Sequence, residues 1–383
     1  MKFGEVLQLL KDTGNEPVVL ENRKNKHQVV CAPSLVGRVM TTTFDGARGA
    51  ALGWIGVDEI RRGPIDPVFN NFGGEERFWF GPEGSQFGLH FRSKEQVFSN
   101  YRVQPGMSSQ PYELLDVSRQ YDSMAMKARM QLENLAGTRF DVEVVRTVRI
   151  LDFCPYRVGF SDRIEFVGFE SESRVTNMSR LPIRRETGRL CCWTPGLHPN
   201  GPRTAVIVPF RPGPETELGP PIRRDYFAQL CLGGDLPPKR WQVGRDHALM
   251  KTDSTFRAKV GVSVRRATGR VASIDLEAAR LTIHDCYFYP ELDHVAPYWR
   301  ELSADEEGDG EAISVYIDGP DEQGRRAGDF HELETLSAAM PLQPGECFIH
   351  RNRVLHLRGE LSALGDISER FLGAGLEELS RFV

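Results

Sequence analysis

The chain lacks the sequence features of several protein classes. None of its 383 residues lies in an apolar run approaching the roughly 20 residues that cross a membrane, and the N-terminus has no apolar segment typical of a secretory signal. It also contains no phosphate-binding loop, no Gly-x-Gly-x-x-Gly turn and no Gly-x-Ser-x-Gly nucleophile motif. These absences argue against membrane-spanning, exported and nucleotide-binding proteins, and we expect a cytoplasmic location.

An excess of charge of one sign is also missing. The 48 Lys plus Arg residues and the 53 Asp plus Glu residues leave a formal charge of −5. Such a balance offers no cationic surface to nucleic acid or to an anionic membrane. We therefore expect neither partner, and a neutral, hydroxyl-rich ligand fits the composition better.

Paired cysteine motifs are absent as well. The chain has an odd number of cysteines, none in a Cys-x-x-Cys or Cys-His metal spacing, and we expect reduced core thiols at Cys31, Cys154, Cys191, Cys192, Cys231, Cys286 and Cys347. A buried strand explains the adjacent pair at 191–192 more simply than redox chemistry does. His331-Glu332, His284-Asp285 and the acidic run 305–309 lack zinc or calcium spacing, so we expect no metal and no cofactor.

What the chain does contain is a series of short β-type runs separated by Gly, Pro, Asn and Asp. About a dozen strands are predicted, at 27–32, 37–43, 86–92, 130–135, 140–151, 174–177, 204–209, 256–264, 279–289, 314–318, 330–337 and 347–357. So many strands with few helices predict an all-β fold. The runs 142–150 and 281–289 carry apolar residues on both faces, which indicates stacked sheets.

Helices are predicted at the two ends of the chain. Phe3, Val6, Leu7 and Leu10 have helical spacing, so residues 1–14 should form a short docking helix. Residues 361–383 should form one or two short helices that pack on a sheet edge. Since no long linker, repeat or low-complexity tract interrupts the chain, we expect a single domain over residues 1–383.

The segment 71–84 is the first candidate site. It combines glycines and aromatic rings with Arg77, Trp79 and Glu83. Arginine and carboxylates bind hydroxyls, an indole covers the apolar face of a sugar, and glycine lets the backbone approach a ligand. The alternative is a tight loop that leads into a core strand and keeps its charges solvated.

The segment 328–337 is the second candidate site. If 330–337 is a strand, Glu332 and Glu334 point to one face with Cα atoms roughly 7 Å apart. Two neighbouring carboxylates are costly unless they are solvated, paired or used. In the alternative interpretation they are surface groups opposite Arg351 and Arg353 on a paired strand.

The segment 347–357 contributes further candidate residues to the same site, among them two histidines. If it is a strand, His350, Asn352 and His356 share one face. A concave sheet that presents Glu, His and Asn has the parts of an acid–base site. The alternative is that these histidines cap strand ends or are hydrogen-bonded in the core.

Taken in order, these segments resemble the galactose-mutarotase-like (aldose 1-epimerase-like) supersandwich proteins, and more closely an uncharacterised bacterial branch of them. The matching segments run nearly end to end, at 36–43, 73–87, 175–179, 318–320, 332–334 and 342–346, followed by His350 and His356. The resemblance implies a large antiparallel β-supersandwich with a few short peripheral helices and a sugar-binding concave face.

The resemblance also implies site roles. The epimerases use a glutamate base in a Leu-Glu-Thr-type strand, which is similar to 333–335 here and implies Glu334 as the base. Their acid is a histidine just after a Thr-Asn strand, where this chain has Met178, and methionine cannot donate a proton. Either another group serves as the acid, with His350, His198 and Arg77 as substitutes, or ordinary mutarotation is not the reaction.

The remaining roles concern substrate binding. We expect Arg77 to clamp hydroxyls or an anion, and Glu83 to take part in the same site. Asp318 and Glu332 would form a polar wall, and Trp79 or Trp193 would stack against the sugar ring. These residues complete the predicted site.

Three functions remain open on the sequence. The first is an epimerase-like isomerase, and the second is a non-catalytic carbohydrate-binding protein. The third is a polysaccharide lyase or a glycoside hydrolase on the same fold, in which a lyase would use Tyr316 with Arg77. In each case the partner is a small or oligomeric carbohydrate, and the protein is a monomer or a homodimer.

Overall fold

Antiparallel strands dominate the computed structural model, which describes residues 1–22, 24–160, 162–224, 226, 239–321 and 323–383. The smallest sheet has the order β1 (Val18–Glu21), β2 (Gln28–Ala32) and β3 (Arg38–Thr43). A five-stranded sheet, in the order β13-β16-β17-β9-β4, contains β4 (Trp79–Gly81), β9 (Cys191–Pro199), β13 (Ala258–Ser263), β16 (Glu311–Ile317) and β17 (Phe330–Leu336).

The largest sheet has ten strands, in the order β11-β12-β10-β14-β15-β18-β8-β7-β6-β5. They are β5 (Glu113–Val117), β6 (Ser123–Glu133), β7 (Arg139–Ile150), β8 (Ile164–Asn177), β10 (Thr204–Pro209), β11 (Trp241–Val243), β12 (His247–Lys251), β14 (Arg270–Asp275), β15 (Arg280–Cys286) and β18 (Cys347–Gly359). The predicted all-β class is therefore confirmed.

The five-stranded sheet stacks on the ten-stranded sheet, as predicted. Thr335 of β17 donates to Asn352 of β18 at 3.1 Å, and Leu333 packs in one apolar cluster with Val206 and Val271. Because side chains alternate along a strand, the neighbours of Leu333 and Thr335 on β17 point to the opposite face. That face carries the candidate site.

The two runs predicted to be apolar on both faces differ. In β15, Leu281 and Ile283 pack with the C-terminal helices while His284 faces the sandwich interior, so both faces are buried. In β7, buried residues alternate with half-buried or exposed ones. The apolar composition of β7 was therefore no sign of burial on both faces.

The helices are short. They are α1 (Phe3–Asp12), α2 (Val57–Arg62), α3 (Pro105–Ser108), α4 (Glu215–Leu218), α5 (Ala304–Glu307), α6 (Leu361–Leu372) and α7 (Leu376–Phe382). The helices predicted at both ends are present, but α6 packs across β10, β14, β15 and β18, which is a sheet face and not an edge. In the described part of the chain, no helix has the length and apolar character needed to cross a bilayer.

One predicted strand is wrong. Residues 86–92 form turns and bends, with one isolated bridge between Phe91 and Tyr101. The N–H groups of Leu89 and His90 donate locally, to the carbonyls of Pro82 and Glu83. Local bonds of this kind replace a sheet ladder. The segment instead folds back beside β4.

The cysteine prediction holds for most of the thiols. Cys31, Cys154, Cys191, Cys192 and Cys286 are buried and free, with 191–192 in the predicted buried strand. Burial raises the pKa of Cys191 to about 12, so its thiol stays protonated. The prediction is wrong for Cys347, which is exposed at the start of β18, and Cys231 lies outside the described residues.

Candidate functional site

The outer face of the five-stranded sheet presents a row of polar side chains. Register places Lys259 of β13 opposite Tyr316 of β16, and Tyr316 opposite Glu332 of β17. In the next row Ser314 lies opposite Glu334. As predicted, Glu332 and Glu334 share one face, and both are buried.

A cavity of about 280 Å³ opens on this face. Six of the eight predicted site residues line it, namely Arg77, Trp79, Glu83, Trp193, Glu332 and Glu334. The lining side chains that the sequence interpretation did not select include Lys259, Arg257, Phe98, Tyr101 and Trp299. The structure thus brings together residues that are up to 257 positions apart in the chain, between Arg77 and Glu334.

Asp318 lies next to the cavity without lining it. Its carboxylate accepts from the Tyr316 hydroxyl at 2.7 Å and from the Gly328 amide at 2.9 Å, and Arg257 lies 3.7 Å away. Burial raises the pKa of Asp318. Asp318 therefore orients Tyr316 and Arg257, which do line the cavity.

His350 is not brought to the cavity. It lies on β18 opposite Ser173 and shares its face with Asn352, which contacts the inner face of β17. Burial lowers the pKa of His350 to about 3, so the ring is neutral. His198 also points inward, with its Nε2 atom 2.8 Å from Nε2 of His284.

The expected single sheet carrying Glu, His and Asn is therefore wrong. Strand β17 pairs with β16 and β9, whereas β18 pairs with β8 and β15. The glutamates and histidines consequently lie on opposite sides of the five-stranded sheet. The alternative interpretation, in which the two glutamates lie opposite Arg351 and Arg353, is also wrong. These arginines bind Glu172 and Glu170 of β8.

Met178 lies away from the cavity too. It follows the end of β8, is 39% exposed, and donates its amide N–H to the Asp141 carbonyl at 2.8 Å. The identity of the side chain at position 178 thus has no bearing on proton donation in this cavity. A donor has to come from the residues that line it.

Two cations hold the carboxylates in place. Arg77 Nη2 lies 3.0 and 3.1 Å from the two oxygens of Glu332. Lys259 Nζ lies 3.1 Å from Glu83 and 3.7 Å from Glu334. The signal for Lys259 in the sequence is a lysine between two apolar residues of a predicted strand, at 258–260.

Cations of the protein cover both predicted stacking platforms. The guanidinium carbon of Arg77 lies 3.8 Å from the centroid of the Trp79 ring, and Lys259 Nζ lies 4.6 Å from that of Trp193. The indoles are only 2% and 3% exposed. Phe98, 38% exposed, lines the same cavity and offers a more accessible ring.

Several polar atoms at the cavity remain unsatisfied. Glu334 accepts from the Trp193 indole at 2.8 Å and from the Ser314 hydroxyl at 2.5 Å, both through Oε2. Its Oε1 atom, and Nε and Nη1 of Arg77, are buried and have no hydrogen-bond partner among the described residues. Buried polar atoms without partners are costly, and both side chains line the cavity.

The charges at the site do not balance. Arg77, Lys259 and Arg257 face Glu83, Glu332, Glu334 and Asp318, which leaves one carboxyl in excess. Burial, with a further contribution from Glu334, raises the pKa of Glu332 to about 7, although Arg77 and Lys259 act in the opposite direction. Glu332 can therefore hold a proton near neutral pH.

In the described part of the chain, no group of three or more His, Cys, Asp or Glu side chains is arranged to hold a metal ion.

The stacked sheets define a galactose mutarotase-like β-sandwich, as the resemblance implied. A putative aldose 1-epimerase from Escherichia coli K12 is similar at a TM-score of 0.54 and 11% identity, over 90% of this chain and 99% of that one. A galactose mutarotase-like protein from Lactobacillus casei ATCC 334 is similar at a TM-score of 0.53 and 11% identity, over 89% and 100%. Likeness at this identity shows the fold alone.

The chain belongs to a family of unknown function, DUF6786, whose sequence profile matches residues 1–383. The search of curated proteins finds no match.

Proposed function

We propose that the cavity binds a single sugar ring and catalyses exchange between its anomers, with Glu334 as base. The observation that carries the proposal is the set of unsatisfied buried atoms, Glu334 Oε1 and Arg77 Nη1 and Nε, on a face that also holds the Glu332 carboxyl. The volume of about 280 Å³ lies just below the roughly 300–1,000 Å³ of small-molecule sites. It suits one ring better than an oligosaccharide.

Anomer exchange needs one group that accepts a proton and one that donates a proton. Glu334 Oε1 takes the proton of the anomeric hydroxyl while the protonated Glu332 gives its proton to the ring oxygen. The bond between C1 and the ring oxygen then breaks and leaves an open-chain aldehyde. Rotation about C1–C2 and the reverse proton transfers close the ring on the other face.

Arg77 has a binding role in this scheme. Its Nη2 atom is engaged by Glu332, while Nη1 and Nε remain for the oxygens of the sugar. A guanidinium does not give up its proton at neutral pH, so it binds substrate without serving as the acid. The ring of Phe98 would cover the apolar side of the sugar.

The test is proton NMR exchange spectroscopy between the anomers of glucose and of galactose. Wild type should accelerate exchange for at least one of them, and Glu334→Gln should lower that rate about 100-fold or more. Glu172→Gln, in the ten-stranded sheet outside the cavity, is the matched control and should retain the rate. No acceleration across common hexoses by wild type would overturn the proposal.

A second candidate is a sugar-binding protein without turnover. It is favoured by the two hydrogen bonds and the ion pair that already engage Oε2 of Glu334. Thermal-shift measurements with mono- and oligosaccharides address it. A sugar that stabilises wild type without anomer exchange supports this candidate over the first.

A further inference from the structure

Lys259 is buried inside the site and contacts two of its carboxylates. It lies on β13, at the edge of the five-stranded sheet, with its side chain 5% exposed. Its Nζ atom lies 3.1 Å from Oε2 of Glu83 and 3.7 Å from Oε2 of Glu334. The rings of Trp193 and Tyr226 flank the ammonium at 4.6 and 5.0 Å.

Glu83 fixes the position of this ammonium. Its Oε2 atom binds Lys259, and its Oε1 atom accepts from the Tyr101 hydroxyl at 3.3 Å. Although burial acts in the opposite direction, the carboxylates of Glu334 and Glu83 raise the pKa of Lys259. The cation is therefore permanent near neutral pH.

We propose that Lys259 is a positioning residue, which holds the Glu334 carboxylate ionised and keeps its Oε1 atom free for the substrate, while Glu83 holds Lys259 in place. The catalytic meaning of this assignment rests on the proposed function. The electrostatic part does not, because the ion pairs exist without a substrate.

The groups around Glu334 decide the sign of the effect. Lys259 on β13 favours the ionised carboxylate, as do the hydrogen bonds from Trp193 on β9 and Ser314 on β16. Two nearby carboxyls act against ionisation of Glu334, namely Glu332 on the same strand and Glu83 just after β4. The guanidinium of Arg77 is engaged by Glu332.

The experiment follows the Glu334 side chain by carbon NMR in protein labelled at the glutamate δ-carbon, with the resonance assigned by its loss in Glu334→Gln. In Lys259→Met, the pH at which this resonance changes should move upward by about one pH unit or more, because an opposite charge at about 4–6 Å shifts such midpoints by about 1–3 units. Lys259→Arg should move it by less.

Glu83→Gln tests the same idea with the opposite sign. It removes a nearby negative charge and leaves Lys259 to pair with Glu334, so the midpoint should move downward. Lys127→Met is the matched control, since Lys127 of β6 pairs with Glu113 of β5, outside the cavity. It should leave the midpoint unchanged.

Activity provides the second readout. The acidic limb of the pH–rate profile for anomer exchange should move with the NMR midpoint, upward in Lys259→Met and downward in Glu83→Gln. If Lys259→Met does not fold, as judged by circular dichroism, Glu83→Gln alone decides the sign.

The outcomes separate the two proposals. Midpoints that stay in place in both variants overturn the role of Lys259, whatever the activity. Midpoints that move as expected in a protein that exchanges no anomers support the role of Lys259 in holding Glu334 and overturn the proposed function.

Discussion

Arg77 donates through Nη2 to both carboxylate oxygens of Glu332, at 3.0 and 3.1 Å, and the two side chains are 5% and 7% exposed. The pair joins the loop before β4 to the middle of β17. Both side chains line the cavity, and Nε and Nη1 of the guanidinium have no hydrogen-bond partner among the described residues.

Loss of this pair should destabilise the protein. In Arg77→Met, a buried carboxyl loses its cation, and we expect the free energy of unfolding at pH 8 to fall by about 3–5 kcal/mol. The loss should shrink at pH 5, where Glu332 holds a proton, because burial raises its pKa to about 7. Urea unfolding at the two pH values measures the difference, and equal losses would contradict this account.

Glu332 should set the basic limb of anomer exchange. A donor whose pKa is about 7 loses its proton as the pH rises, so the wild-type rate should fall above that value. Glu332→Gln should lower the rate about 100-fold or more and remove this limb. A variant that keeps both the rate and the limb would show that the proton comes from another group.

The buried histidines should make the protein labile to acid. Burial lowers the pKa of His90, His284, His331 and His350 to about 3, so these rings are neutral in the folded state. In the unfolded chain they bind protons below about pH 6.5, so folding loses stability as the pH falls from there toward 3. Burial also raises the pKa values of three carboxyls, Glu332, Asp285 and Asp318, and these act with the opposite sign. The histidines outnumber them, since burial lowers the pKa values of His198 and His294 too.

Each of these histidines contributes a slope of up to about 1.4 kcal/mol per pH unit within that window. Urea unfolding at pH 7, 6 and 5 measures it. His284→Gln should reduce the slope by about one group's share. A free energy of unfolding that stays constant from pH 7 to 5 would mean that these rings are protonated in the folded state.

The indole of Trp193 should matter through its N–H group. In Trp193→Phe, Glu334 loses a buried donor at 2.8 Å while a ring remains beside Lys259. We expect a loss of about 1.5–3 kcal/mol in the free energy of unfolding, the usual range for hydrogen bonds to charged groups. In Trp193→Phe the affinity for a sugar should change little, because Lys259 already covers the ring.

Phe98→Ala, by contrast, should weaken sugar binding without destabilising the fold.

The sequence alone identified six of the residues that line the cavity. Glu332 and Glu334 follow the two-residue period of a strand, and that period places them on one face in any sheet. Arg77, Trp79 and Glu83 were selected because glycines, a guanidinium and an indole are concentrated in one segment. These are local patterns, and they hold in whatever surroundings the chain adopts.

Lys259 was missed because a lone lysine in a strand carries no such pattern. Its role depends on β13 joining β16, and on Glu83 arriving from a loop 176 residues earlier. The prediction that His350 belongs to the site was wrong for a different reason. Its alternation within β18 was correct, but the pairing of β18 with β8 turned its face into the sandwich interior.

The sequence by itself therefore determined the all-β class, the terminal helices and which side chains share a strand face, because each follows from a period or a composition within a few residues. Only the tertiary structure decided which faces meet. Strand order brings Arg77, Lys259 and the two glutamates of β17 into one cavity and moves the histidines and Met178 out of it. Strand order depends on long-range pairing free energies, which no local spacing encodes.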